Sequence, residues 1–153
     1  MARRNYEKRA FGNALITYLG TKGWSGLTYS EGYGSQHAIK PPQIAVTFPP
    51  SRKKELQLGR TSTSDAVFNR VIQVDAYMET EMRADAIIDD IMDFIDLTVV
   101  VINDPSSNFL GTLICQNTES IFGETLPPIT NDPKIGRYRG VVKAQMEAHY
   151  PNG

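Results

Sequence analysis

The sequence predicts an α+β domain: an antiparallel or mixed β-sheet of about four main strands with two α-helices packed on one face. Three observations carry this. Val67 to Met78 alternates in the manner of a strand, and Ala84 to Ile95 repeats apolar residues at helical spacing directly after it. The whole chain then reads helix, strand, strand, helix, strand, strand, an order that one sheet with both helices on a single face satisfies.

In the strand, Phe68, Arg70, Ile72, Val74, Ala76 and Met78 share one face, and Asn69, Val71, Gln73, Asp75 and Tyr77 share the other. The first is mostly apolar and belongs against the core. The second is mixed and suits water or a partner subunit. Thr80 is placed to cap the following helix, with Glu81 in its first turn. Ala84, Ile87, Ile88, Ile91, Phe94 and Ile95 make the buried stripe, and Asp85, Asp89, Asp93 and Asp96 lie opposite. Thr98 to Ile102 is β-branched, but the first breaker is Asp104-Pro105, so the helix is expected to continue to about Ile102.

The remaining elements are read from the same two periods. Asn5 to Leu19 is a helix with Phe11, Ala14, Leu15, Tyr18 and Leu19 on its apolar face, and Arg3, Glu7 and Asn13 nearer solvent. Gly12 inside it costs up to ~1 kcal/mol relative to alanine. Trp24 to Pro42 is a Gly-, Ser- and Tyr-rich loop with room for a short strand near Leu27 to Tyr29. Gln43 to Phe48 is a strand stopped by Pro49-Pro50. Ser51 to Asp65 is a basic, polar loop in which Glu55 to Leu58 is the one segment able to pair. Pro105 to Gly111 is a loop, Thr112 to Ile121 a strand, Phe122 to Pro133 a loop, and Ile135 to Tyr150 a long final strand. Residues 1–153 are thus expected to form a single domain with long loops at about 24–42, 49–66 and 122–134.

Composition bounds the function. Hydrophobic residues make up 41% and charged residues 22%, which is ordinary for a globular chain, and the net charge of -1 provides no global attraction for nucleic acid or acidic lipid. The longest apolar run, Val99 to Ile102, is far short of the roughly 20 residues of a membrane span. The basic start, Met1 to Tyr6, is followed by no apolar stretch of a secretory signal, so folding in a reducing cytoplasm is expected. The single Cys115, flanked by Leu113 and Ile114, reads as a small buried hydrophobe.

No catalytic, cofactor-binding or metal site is expected. Asp89-Asp90-Ile91-Met92-Asp93 spells the DDxxD pentad with which terpenoid synthases hold magnesium, but it lacks their all-helical length and their second acidic cluster. It reads as a solvated acidic helix face or one that meets a basic neighbour. Gly32-Tyr33-Gly34 lacks a strand-Gly-helix context, and His37 and His149 have no ligand-spaced partner. The candidate interface residues are the basic Arg52, Lys53, Lys54 and Arg60 of the long loop and the acidic Asp85, Asp89 and Asp93 of the helix, since long loops in compact domains carry function and opposite charges fix register between partners.

The order of elements, and within it Pro-Pro-Gln-Ile-Ala-Val-Thr-Phe, Arg-Val-Ile-Gln-Val-Asp-Ala-Tyr leading into an Ala/Asp-rich helix, and Arg137-Tyr138-Arg139-Gly140-Val141-Val142 entering the last strand, resembles the tail terminator (tail-completion) family of long-tailed bacteriophages. The resemblance implies a structural virion protein without enzymatic activity or cofactor. It implies a homo-oligomeric, usually six-membered ring on the head-proximal end of the tail tube, which stops tube polymerisation and joins the tail to the head connector. DNA would pass through its channel without sequence-specific binding, and the protein would be assembled in the host cytoplasm into the neck of the virion. Two other readings are another neck or tail ring component, such as a head completion or tube-like protein, and a small cytoplasmic protein-binding module.

Overall fold

The computed structural model describes residues 3–31, 42–48, 66–115, 118–127 and 138–151. In chain order they form α1 (Arg3–Thr21), β1 (Thr28–Glu31), β2 (Gln43–Thr47), β3 (Ala66–Met78), α2 (Glu81–Leu97), β4 (Val100–Asn103), β5 (Phe109–Ile114), a 3-10 turn (Thr118–Ser120), β6 (Phe122–Leu126) and β7 (Tyr138–Tyr150). The α+β class and the mixed sheet are as the sequence predicts. The sheet has seven strands among the described residues rather than about four, in the order β1-β2-β3-β7-β5-β4, with β6 also on β7. β1 and β2 run parallel; the other pairs are antiparallel.

β3 and β7 are the spine. They pair over thirteen positions, from Ala66↔Tyr150 to Met78↔Tyr138. The other edge of β7 is shared in series: β5 takes residues 147–149 and β6 takes residues 139–143. Ile72, Val74, Ala76 and Met78 of β3 and Val142, Ala144, Met146 and Ala148 of β7 all turn to the helices.

Each helix is fixed by its apolar stripe. In α2 the Thr80 hydroxyl accepts the Arg83 backbone N–H at 3.2 Å, satisfying one of the orphan donors of the first turn. Ala84, Ile87, Ile88, Ile91, Phe94 and Ile95 are then buried, at ~1.5–3 kcal/mol for each large side chain removed from water. Glycines let α2 lie directly on the sheet: a Cβ at Gly140 would stand 2.8 Å from Ile88 Cγ1, and one at Gly123 2.7 Å from Met92 Sδ. In α1, Phe11, Leu15 and Leu19 are fully buried. The expected weakness at Gly12 has a use, because the Tyr29 ring of β1 occupies the place where a Cβ would be.

Several boundaries differ from the expectation. α2 ends at Leu97, not Ile102. Thr98 is already extended (φ -110°, ψ 132°), and its N–H caps Phe94 O at 3.0 Å. The β-branched run beyond it follows its propensity as β4, with Val100 and Ile102 buried and Val101 and Asn103 exposed. The expected strand over Thr112 to Ile121 is instead β5, already begun at Phe109, and the 3-10 turn. The expected loop from Phe122 opens as β6, held by β7 along its whole length. Cys115 is half-buried rather than buried, with Sγ 3.7 Å from Ser120 Oγ. The basic loop from Ser51 to Asp65, with its segment Glu55 to Leu58, lies outside the described residues.

Glu7 does not lie toward solvent. It is fully buried, and so is nearly all of Arg70. Arg70 Nε and Nη2 donate to the two Glu7 oxygens at 2.6 and 3.2 Å, and the Tyr150 hydroxyl donates to Glu7 Oε2. The guanidinium sits 4.8 Å from the Phe68 ring, which meets Tyr150 edge-on. A fork-to-fork pair of this kind satisfies charges that would otherwise be too costly to bury.

Candidate functional site

Thr80 starts α2 so that its acidic side runs along the outside of the helix layer, but the acids have different surroundings. Asp85 accepts the hydroxyl of Thr125 on β6, and Asp96 accepts that of Thr118 at 3.0 Å. Asp90 accepts the indole N–H of Trp24 at 2.7 Å, while Arg83 lies 5.2 Å from the same indole ring and 3.6 Å from Glu79. These acids staple α2 to its neighbours. Asp89 and Asp93 are exposed, one turn apart, and have no partner among the described residues. Like charges at this spacing repel by a few tenths of a kcal/mol, which a cation on a neighbouring surface would relieve. Of the three helix acids picked out in the sequence, Asp89 and Asp93 are without a partner among the described residues, and Asp85, itself exposed, is bonded to β6. Arg52, Lys53, Lys54 and Arg60 lie outside the described residues.

The DDxxD string does not converge on an ion. Ile91 points into the core and Asp90 holds Trp24. Among the described residues no three His, Cys, Asp or Glu side chains are placed to bind a metal.

The sheet face opposite the helices is divided. Where β2, β3 and β7 meet, Gln43, Ala45, Gln73, Asp75, Tyr77 and Val141 are buried. For Gln73, Asp75 and Tyr77 this corrects the expectation that the mixed face of β3 meets water or a partner; Asn69 on the same face is exposed and Val71 half-buried. Asp75 is fully buried because it is satisfied: Arg139 Nε and Nη2 donate to it at 3.0 and 2.8 Å, and Gln73 Nε2 at 3.2–3.3 Å. The sequence signal was present in Gln-x-Asp-x-Tyr, three polar groups at the two-residue spacing of one strand face. What it lacked was the register that brings Arg139 opposite Tyr77.

This cluster shifts one group. Burial, reinforced by the Asp75 carboxylate and opposed by Arg139, raises the Tyr77 phenol above its ordinary value of 10.0. The folded chain holds the phenolic proton more tightly than the unfolded chain. Its contribution to stability is whole below about pH 10 and is lost as pH rises through the folded-state pKa. We expect the urea midpoint of the wild type to fall more steeply above about pH 10 than that of Tyr77→Phe. Equal alkaline losses in the two proteins would exclude Tyr77 as the source.

Toward β4 and β5 the same face is open. Val99, Val101, Phe109 and Phe122 are all more than half exposed. A shallow open cleft of about 540 Å³ lies between β3, β7, the 3-10 turn and the start of β6, lined by Val71, Glu119, Ser120, Phe122, Lys143 and Gln145. The sequence reading did not reach this surface, because it placed Val99 and Val101 in a helix and Phe122 in a loop.

No family model and no curated protein matches the chain. Among the solved structures similar to this chain, one matches over 97% of this chain and 96% of its own, at a TM-score of 0.50 and 11% sequence identity. The likeness concerns the fold alone. No helix among the described residues is long and apolar enough to cross a membrane.

Proposed function

We propose that this chain is a tail terminator: a subunit of a ring, of six copies by the family resemblance, that caps the head-proximal end of a phage tail tube, stops its polymerisation and presents a surface to the head connector. The observation that carries the reading is the unit from β3 into α2. The strand that ends in Val74-Asp75-Ala76-Tyr77 passes into the Ala/Asp-rich helix through Glu79 and Thr80 alone, and this is the segment on which the resemblance rests. The helix order and the mixed sheet are in keeping with it.

In this reading the protein does no chemistry. A ring needs two different patches on each subunit that close by rotation. The exposed Asp89 and Asp93 would form one side of a contact whose other side is basic, with Arg52, Lys53, Lys54 and Arg60 as its candidates. DNA would pass the channel without sequence readout, and the protein would reside in the neck of the virion after assembly in the host cytoplasm.

The test uses tail tubes polymerised from the tube protein of the same phage, viewed by electron microscopy with and without this chain. The expected result is a ring at one end of each tube and an end to further growth. Tubes that lengthen unaltered and carry no cap would overturn the proposal. Joint charge reversal of Arg52, Lys53 and Lys54 tests the basic contact within the same assay.

A further inference from the structure

We infer that the β4–β5 hairpin is an arm that opens as one piece about its short junction with β7, while the rest of the sheet stays closed. The inference goes beyond the ring reading and does not rest on it.

The sheet is unevenly joined. β3 and β7 pair over thirteen positions and β6 and β7 over five, but β5 meets β7 at three: Thr112↔His149, Leu113↔Ala148 and Ile114↔Glu147. Among the described residues β4 pairs with β5 alone, so the whole hairpin hangs on that junction. Burial follows the pairing. On β3, every residue from Ile72 to Met78 is buried, whereas between Thr98 and Cys115 the buried residues are Val100, Ile102, Gly111 and Leu113. A segment with few buried apolar groups opens at a lower free energy than the core strands beside it.

The hairpin is stiff in itself. At its tip the Asp104 backbone N–H donates to Asn108 O at 2.9 Å, and the Asp104 carboxylate accepts the backbone N–H groups of Ser106 and Asn108 at 2.9 and 2.8 Å. The two strands behind this turn are registered from Val100↔Leu113 to Asn103↔Phe109, so they move together. What holds the arm closed lies at its junction and beneath it. Gly111 lets β5 lie against the end of β7, since a Cβ there would collide with the His149 carbonyl oxygen and stand 2.9 Å from Tyr150 Cδ1. Val100, Ile102 and Leu113 belong to one core cluster with Phe11, Leu15 and Leu19 of α1, which packs on β4. Opening turns these three side chains, and the stripe of α1 beneath them, to water: an apolar surface that the closed form hides.

Native-state hydrogen exchange of the full chain, over urea concentrations below the unfolding transition, tests this. Amides paired within β4 and β5 should exchange at least about tenfold faster than those paired between β3 and β7, and with a weaker dependence on urea, because less surface is exposed. Val74→Ala, in the buried part of β3, should speed exchange in β3 and β7 at least about tenfold and leave β4 and β5 unchanged, because Val74 stays packed when the arm opens. Gly111→Ala should speed β4 and β5 by a similar factor. Equal exchange with equal urea dependence in hairpin and spine, or a Val74→Ala variant that accelerates both alike, would show that the hairpin opens only with the whole fold and would overturn the inference. A hairpin unchanged by Gly111→Ala would overturn the junction as its hinge. If Gly111→Ala does not fold, the wild type and Val74→Ala decide between the two outcomes.

Discussion

Arg70→Met should lower folding stability by about 3–5 kcal/mol, as removal of one member of a buried ion pair does. The substitution keeps much of the side-chain volume, so the loss is not mainly a cavity. It comes from Glu7, which is left fully buried with the Tyr150 hydroxyl in place of a guanidinium fork. The second variant separates this cause from simple packing. Glu7→Leu combined with Arg70→Met removes both charges and should recover a large part of the loss, because a hydrophobic pair of similar volume is often neutral relative to the ion pair. Some deficit should remain, since Tyr150 loses its acceptor. Chemical denaturation of these two variants, of Glu7→Leu alone and of the wild type gives the coupling energy directly. A double variant as unstable as Arg70→Met would show that Arg70 acts through other contacts.

Phe94→Ala should cost a similar amount, about 3–5 kcal/mol. Phe94 is almost wholly buried where the helices meet, with the Phe11 and Tyr18 ring centroids each 5.4 Å away and Phe11 in turn edge-on to Phe48. Truncation leaves a cavity lined by aromatic rings from α1, and these cannot close on it without moving the helix. Phe94→Leu should recover more than half of the loss. A cost below about 1 kcal/mol for the alanine variant would mean that α1 is free to collapse onto α2.

The parts of the fold legible in the sequence are those with an unbroken period. β2, β3, the start of α2 and β7 repeat their apolar residues over enough positions to exclude the other secondary structure. β4 and β6 were not legible for different reasons: the β-branched run of β4 has strand propensity, but no turn residue separates it from α2, and the five residues of β6 show no period of their own and pair along their whole length with β7. Glu7 was misread by its charge. It stands four residues before Phe11, which stands four before Leu15, so it lies on the apolar stripe of α1; Arg70 likewise interrupts the apolar face of β3 between Phe68 and Ile72. A single acid on one stripe and a single base on another are the trace of a buried pair, visible once the two are read together. Of the candidate interface, the acidic side of α2 was legible as a surface. Which acids it leaves unpaired depended on Thr125, Thr118 and Trp24, which reach it from distant elements.

The shared edge of β7 has a consequence for how the chain comes to be folded. β3, β5 and β6 all take β7 as a neighbour, and the bond from Tyr150 to Glu7 spans 143 positions. On the ribosome, everything up to β6 can emerge before the strand that organises it exists. Contacts of such long range are slow to form, and until residues 138–150 arrive, β3 exposes an edge along its whole length. The sheet therefore cannot close until residues 138–150 have emerged, and its vulnerable interval is the one in which its own central strand has yet to be made.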